Sequence, residues 1–305
     1  MARAWAEGAG ADGGWGGRGL WKWRGCCIFA PMVGQIHIMG IVNATPDSFY
    51  AGSRAQGAAA AERARKLLEE GADVIDLGAA STRPGSVQPT LEEEWLRLEP
   101  VLKTLAGSTG EAAFPALSID TYRAEIVRRT YDTVGAFMVN DISAGHLDPE
   151  MLETVGRLGL PYVAMHMRGT PETMQQFTQY TDIVADILDY FRDFAARAEN
   201  AGIQEWILDP GFGFSKTVEQ NYELLRRLEE LQAAGRPILA GLSRKSMVYK
   251  VLGITPEEAM PATQVVQMAA LERGATWLRV HDVAAAVQTA RIYSTMKTSS
   301  PGAAK

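Results

Sequence analysis

Cysteine is almost missing from this 305-residue chain: the only two, Cys26 and Cys27, sit side by side. Adjacent cysteines supply neither the spaced pairs of a disulfide framework nor the Cys/His spacing of structural zinc, so the fold has to be held by its own core. No run of about 18 apolar residues occurs to span a bilayer, and the N-terminus has no continuous apolar stretch of the secretory kind. A cytoplasmic protein with no membrane partner is the expectation. Excess charge is also small: 30 Lys plus Arg against 36 Asp plus Glu leave a formal net charge of −6, which argues against nucleic acid as a partner. Any phosphate binding therefore has to be local. What is present is 47% hydrophobic residues, enough for a large core and incompatible with a disordered chain.

Residues 1–34 stand apart. They hold nine of the 30 glycines and four of the seven tryptophans without helical or alternating periodicity, and read as a disordered extension or a start placed too early. The tail 298–305 reads as frayed. Between them, residues 35–297 read as one domain.

From residue 35 onward, short β-rich apolar runs alternate with longer stretches of helical period, the pattern of parallel strands joined by crossover helices. Eight strand candidates occur: IHIMGIVN from Ile36, ADVIDLG from Ala72, PALSID from Pro115, FMVND from Phe137, PYVAMH from Pro161, EWILDP from Glu205, PILAGLS from Pro237 and WLRVH from Trp277. Glycines at 71, 135, 159, 202, 235 and 274 close the helical stretches before the next strand, as C-caps do. Eight βα units in this span predict an α/β fold, a single-domain (β/α)8 TIM barrel, with an open doubly wound sheet as the alternative. Two features favour the barrel. No Gly-x-Gly-x-x-Gly follows the first strand, and polar residues cluster at the C-terminal ends of nearly every strand, where a closed barrel gathers them on one rim.

That rim carries chemistry. Asp120, Asn140, Asp209 and Lys245 come from four strand ends and suit a flat, nitrogen-rich heterocycle: carboxylates accept from an amino-pyrimidine edge, Asn donates and accepts, and Lys donates to a ring carbonyl or nitrogen. Taken singly, each could be a helix cap or a surface ion pair. Arg83, Arg279 and His281, with Asn43 and Thr82, suit a phosphate or pyrophosphate. Arg279 could instead be an internal charge paired with an Asp. The loop DPGFGFSKT adds glycines for close backbone approach and Phe212 or Phe214 as a flat apolar face. The stretch after NATPDSF, YAGSRAQGAAAA, reads as a long rim loop suited to a lid.

The runs MGIVNATPDSF (39–49), DLGAASTRPGS (76–86), SIDTYR (118–123), VNDISAG (139–145), MHMRG (165–169), LDPGFGFSKT (208–217), GLSRKSM (241–247) and LRVHD (278–282) together resemble the dihydropteroate synthase family of pterin-binding barrels. The resemblance implies a transferase of folate biosynthesis. It would condense 6-hydroxymethyl-7,8-dihydropterin pyrophosphate with 4-aminobenzoate, small-molecule substrates, to 7,8-dihydropteroate and pyrophosphate. It places the pterin on Asp120, Asn140, Met165, Asp209, Phe214, Gly241 and Lys245, and pyrophosphate on Asn43, Thr82, Arg83, Arg279 and His281. Aminobenzoate falls to Phe49, Thr82, Pro84, Lys245 and Ser246, and Mg²⁺ to Asn43. Catalysis rests on Asp120, Asp209, Lys245, Arg279 and His281. A homodimer through the last helices also follows from the resemblance, as does membership of a family targeted by sulfonamides.

The chain departs from that pattern at Ala79 and Ala80, where many relatives carry Gly-Glu, and at Tyr50-Ala51-Gly52, where Asp-Gly-Gly is common. Both changes fall in loops expected to close over aminobenzoate. A non-catalytic pterin-binding paralogue is the main rival reading. A methyltetrahydrofolate:corrinoid methyltransferase is the other, and it should not need the Arg83, Arg279 and His281 set.

Overall fold

The computed structural model describes residues 35–44, 53–80, 88–107 and 116–299. Within them, strands and helices alternate as β1 (His37–Asn43), α1 (Ser53–Glu69), β2 (Val74–Gly78), α2 (Leu91–Gly107), β3 (Leu117–Asp120), α3 (Ala124–Val134), β4 (Met138–Asp141), α4 (Met151–Leu158), β5 (Tyr162–Met165), α5 (Ile183–Asn200), β6 (Trp206–Asp209), α6 (Val218–Arg226), β7 (Leu239–Ala240), α7 (Ser246–Leu252), α8 (Met260–Glu272), β8 (Trp277–Val280) and α9 (Val283–Thr298). The eight strands form one parallel sheet in the order β6-β5-β4-β3-β2-β1-β8-β7. Its two ends meet through a parallel bridge between Leu208 and Ile238, where the Leu208 N–H donates to the Pro237 carbonyl at 2.9 Å. The sheet is thus closed into the predicted TIM barrel.

The strands read as near-continuous apolar runs because both faces are covered. Successive side chains alternate. In β1, Ile38 joins the large cluster between sheet and helices, whereas Met39 joins a separate inner cluster with Val74, Met138, Val163, Ile207, Leu239 and Trp277. This inner layer draws one residue from each of seven strands and fills the lumen as a solid floor. Each such side chain contributes roughly 1.5–3 kcal/mol by leaving water.

The six predicted capping glycines all have positive φ. Three boundaries differ from the sequence expectation. Helix α1 begins at Ser53, so much of the stretch read as a loop is helical; Gly57 fits there because a Cβ would lie 2.7 Å from Pro100 Cβ of α2. The helical period of EQNYELLRRLEELQAAG (219–235) reads as one helix, but it breaks at Arg227, and Leu228–Ala234 continues as a 3-10 turn. PILAGLS shortens to a two-residue strand, since Pro237 has no N–H to donate and the chain turns away after Ala240.

Candidate active site

Strand period carries the floor upward into the site. Two residues beyond the floor positions, toward the strand C-termini, stand Ile41 (after Met39), Asp76 (after Val74), Asn140 (after Met138), Met165 (after Val163), Asp209 (after Ile207), Gly241 (after Leu239) and Arg279 (after Trp277). The parallel register sets Asp120 beside Asn140, and Asp209 beside Met165. The layer above an apolar plug is therefore largely polar, at the end of the barrel where active sites form.

One half of this layer is an acid–guanidinium lattice. Arg279 donates from Nε to Asp76 Oδ2 at 2.7 Å and from Nη2 to Asp120 Oδ2 at 2.6 Å. Asn140 Nδ2 donates to the same Asp76 oxygen at 3.1 Å. Asp76 is completely buried, and its Oδ1 has no partner among the described residues. Burial pushes the Asp120 carboxyl up to about 7; Arg279 opposes the rise and the Asp76 charge adds to it. Burial also works against the Arg279 charge, but Asp76 and Asp120 outweigh it and hold the guanidinium protonated. The alternative reading of Arg279, an internal charge paired with Asp, thus describes its contacts in this structure. Its Nη1 has no partner among the described residues.

The other half is built by the loop after β6. Burial raises Asp209, and the Gly211 N–H, donated to Oδ1 at 2.8 Å, pulls it back. Lys245 Nζ donates to the Phe212 carbonyl at 2.8 Å and lies 4.3 Å from the centroid of the Phe214 ring, a cation–π contact. Burial lowers Lys245 to about 8 while Asp209 holds it up. Phe214 joins Met165, Ile142, Met167 and Met174 in a small apolar cluster, flanked by Tyr122 and Leu147. Gly241 leaves room beside Asp209: a Cβ there would sit 3.8 Å from Oδ2.

His281 Nδ1 lies 3.0 Å from Ser243 Oγ, and burial, with Arg279 and Arg244 nearby, lowers the imidazole to about 4, so it is neutral near pH 7. Arg244 is occupied by a bidentate pair to Asp282 at 2.9 and 2.7 Å. Arg279 and His281 share no hydrogen-bond partner among the described residues. Asn43 ends β1 exposed, and Ser246 opens α7. Phe49, Thr82, Arg83 and Pro84 lie outside the described residues, as do Tyr50, Ala51 and Gly52.

Sequence reasoning missed Asp76 and Lys216. Asp76 is an acid in the middle of the apolar run VIDLG, and that position is itself a signal, because an unpaired charge inside a barrel is too costly to keep. Lys216, in the SKT end of the loop, gave no comparable signal.

The pattern of a pterin-binding enzyme matches residues 39–281, most of the chain. The chain belongs to the pterin-binding enzyme family. It is 39% identical over 259 residues to the dihydropteroate synthase of Escherichia coli K12, covering 84% of this chain and 90% of that protein. Among solved structures, Xanthomonas albilineans dihydropteroate synthase with 4-aminobenzoic acid superposes with a TM-score of 0.79 at 38% identity, over 87% of this chain and 94% of that one. The Yersinia pestis enzyme in a sulfonamide drug complex gives 0.80 at 36% identity, over 87% and 95%. No described helix is long and apolar enough to cross a membrane.

Proposed function

We propose that this pterin-family barrel condenses 6-hydroxymethyl-7,8-dihydropterin pyrophosphate with 4-aminobenzoate, yielding 7,8-dihydropteroate and pyrophosphate for folate biosynthesis. The observation that carries the reading is the mouth layer itself: carboxylates, an amide and an ammonium along the rim, with Met165 and Phe214 as apolar faces. In this reading Asp120, Asn140, Asp209 and Lys245 hydrogen-bond the edge of the pterin, and Gly241 leaves the space it enters. Arg279, His281, Asn43, Thr82 and Arg83 hold the pyrophosphate; Phe49, Thr82, Pro84, Lys245 and Ser246 receive aminobenzoate.

The chemistry asks little of a base. Pyrophosphate departs from a CH₂ on an electron-rich ring, the bond electrons leave with it, and the arylamine lone pair attacks the carbon. The enzyme has to stabilise separating charge. Arg279, held protonated by its carboxylates, faces the leaving group, and Asp209 and Asp120 favour the cationic ring in their ionised forms. Neutral His281 is free to donate one hydrogen bond without adding charge.

Mg²⁺ fits this site through one protein ligand. Among the described residues no group of three or more His, Cys, Asp or Glu could hold a metal, whereas Asn43 offers a hard, exposed amide oxygen at the rim. An ion that keeps its waters and binds pyrophosphate oxygens needs no more from the protein. When bound, it neutralises charge on the leaving group. We also assign a homodimer to the last helices, α7–α9, which expose Val251, Leu252, Val265, Ile292 and Met296, and the barrel domain to residues 35–297 in a cytoplasmic protein. Purified protein given both substrates and Mg²⁺ should form dihydropteroate, read by chromatography; retained pterin without product would favour the non-catalytic paralogue.

A further inference from the structure

The loop that presents Phe214 holds a second ammonium, buried against the loop's own backbone. Lys216 is 3% exposed. Its Nζ donates to the Gly211 carbonyl at 3.0 Å and to the Phe214 carbonyl at 3.0 Å, and it lies 3.1 Å from His166 Nδ1. A lysine ammonium has three donors, and here three acceptors meet it. The loop needs holding. Gly211 stands at φ +70, where a Cβ would come within 2.1 Å of the His166 carbonyl oxygen, and Gly213 at φ +81. Ser215, a residue with a side chain, takes φ +51, in the left-handed region that side chains disfavour. Its hydroxyl is tied in turn to both backbone groups of Arg168 at 2.9 Å.

Two lysines thus clamp one loop by different carbonyls. Lys245 takes the Phe212 carbonyl from the mouth, and Lys216 takes those of Gly211 and Phe214 from within. Gly211 is bonded at both ends: its carbonyl accepts from Lys216 while its N–H donates to Asp209 Oδ1. We propose that Lys216 is a positioning residue for pterin recognition, fixing the loop so that Asp209 is aimed and the Phe214 ring is seated. The proposal rests on the pterin-binding reading of the mouth. Burial brings Lys216 down to about 7, with Asp209 holding it up and Lys245 and Arg168 pressing it down. The groups that face it are therefore His166, Asp209, Lys245 and Arg168, and above about pH 7 it gives up a proton and one donor.

The test compares wild type, Lys216→Met and Lys216→Arg in one turnover assay with pterin pyrophosphate, aminobenzoate and Mg²⁺, alongside calorimetric binding of 6-hydroxymethylpterin. Methionine keeps the length and shape of the stem but leaves the Gly211 and Phe214 carbonyls without their donor, so the variant should be less stable than wild type, and its fold is checked by circular dichroism before the kinetics. The Met variant should raise the KM for the pterin substrate about tenfold, equivalent to about 1.4 kcal/mol, with kcat and the aminobenzoate KM changed less than threefold. Arginine, which keeps a permanent charge, should recover part of the loss. Should Lys216→Met fail to fold, binding at pH 6 and pH 9 decides: wild type should lose pterin affinity across that range more steeply than Lys216→Arg, which does not titrate there. Unchanged pterin KM and affinity in Lys216→Met, or equal pH slopes in wild type and Lys216→Arg, would overturn the proposal. Wild type that binds pterin but forms no product would instead overturn the synthase reading, while the binding comparison still judges Lys216.

Discussion

Asp76→Asn probes the buried lattice with the smallest change of shape. Asp76 Oδ2 accepts from Arg279 at 2.7 Å and from Asn140 at 3.1 Å, and the residue has no exposure. Removing one partner of a fully buried ion pair costs about 3–5 kcal/mol. Two features reduce this: Arg279 keeps Asp120 at 2.6 Å with its side chain 22% exposed, and an Asn carbonyl still accepts. A loss of about 2 kcal/mol is expected, or roughly 4–8 °C in Tm for a domain of this size. The pH effect has the opposite flavour. The Asp76 charge helps hold Asp120 at about 7; without it, and with Arg279 serving Asp120 alone, Asp120 ionises at lower pH. If pterin binding uses the ionised Asp120, the acid limb of kcat/KM should move down from near pH 7 even as the fold weakens. Urea melts and a pH–kcat/KM profile read both. An acid limb that stays in place or moves up would refute the lattice argument.

Lys245→Met should lower kcat/KM by about 100-fold or more, as loss of a donor at a developing charge does, while Tm moves by less than about 4 °C, because a rim lysine contributes ligand contacts more than packing. In wild type, activity should fall as pH rises through about 8, where Lys245 loses its proton. His281 is held near 4 in the fold against 6.5 outside it. The unfolded chain thus binds the proton more tightly between those values, and stability should rise with pH across that window by at most about 3 kcal/mol. His281→Gln should flatten the difference between urea melts at pH 4.5 and 7.5, and equal differences in the two proteins would refute it. Gly156→Ala in α4, whose Cβ would lie 1.7 Å from the Ala201 carbonyl oxygen, should cost about 2–3 kcal/mol by overpacking and leave kcat unchanged in steady-state assays.

Much of the fold was legible because two periods dominate it. Alternating apolar runs and capping glycines located every strand, and each strand lies inside the run expected for it. What was not legible depends on long-range geometry. The break at Arg227 follows a residue that pairs with Asp182 of the turn before α5, 45 positions away; a helical period cannot report that. Helix α1 starts early because Gly57 packs on Pro100 of the next helix. In the site, Asp120, Asn140, Asp209, Arg279 and His281 could be named from strand ends, since parallel strands of a barrel end on one rim. Asp76 lies within its strand and not at its end, so the rim rule passes over it, and only the lone acid in an apolar run points to it. Lys216 was hidden because its work is done on backbone carbonyls, which carry no sequence signature.

The central claim is that a pterin sits on the layer two residues above the apolar floor, and a crystal structure of the protein soaked with 6-hydroxymethylpterin tests it most directly. Density is expected for a flat bicyclic ring against Met165 and Phe214, its nitrogen edge bonded to Asp120, Asn140 and Asp209 and its far side to Lys245. A ring bound elsewhere, with those four side chains keeping only their contacts to one another and to the loop, would contradict it.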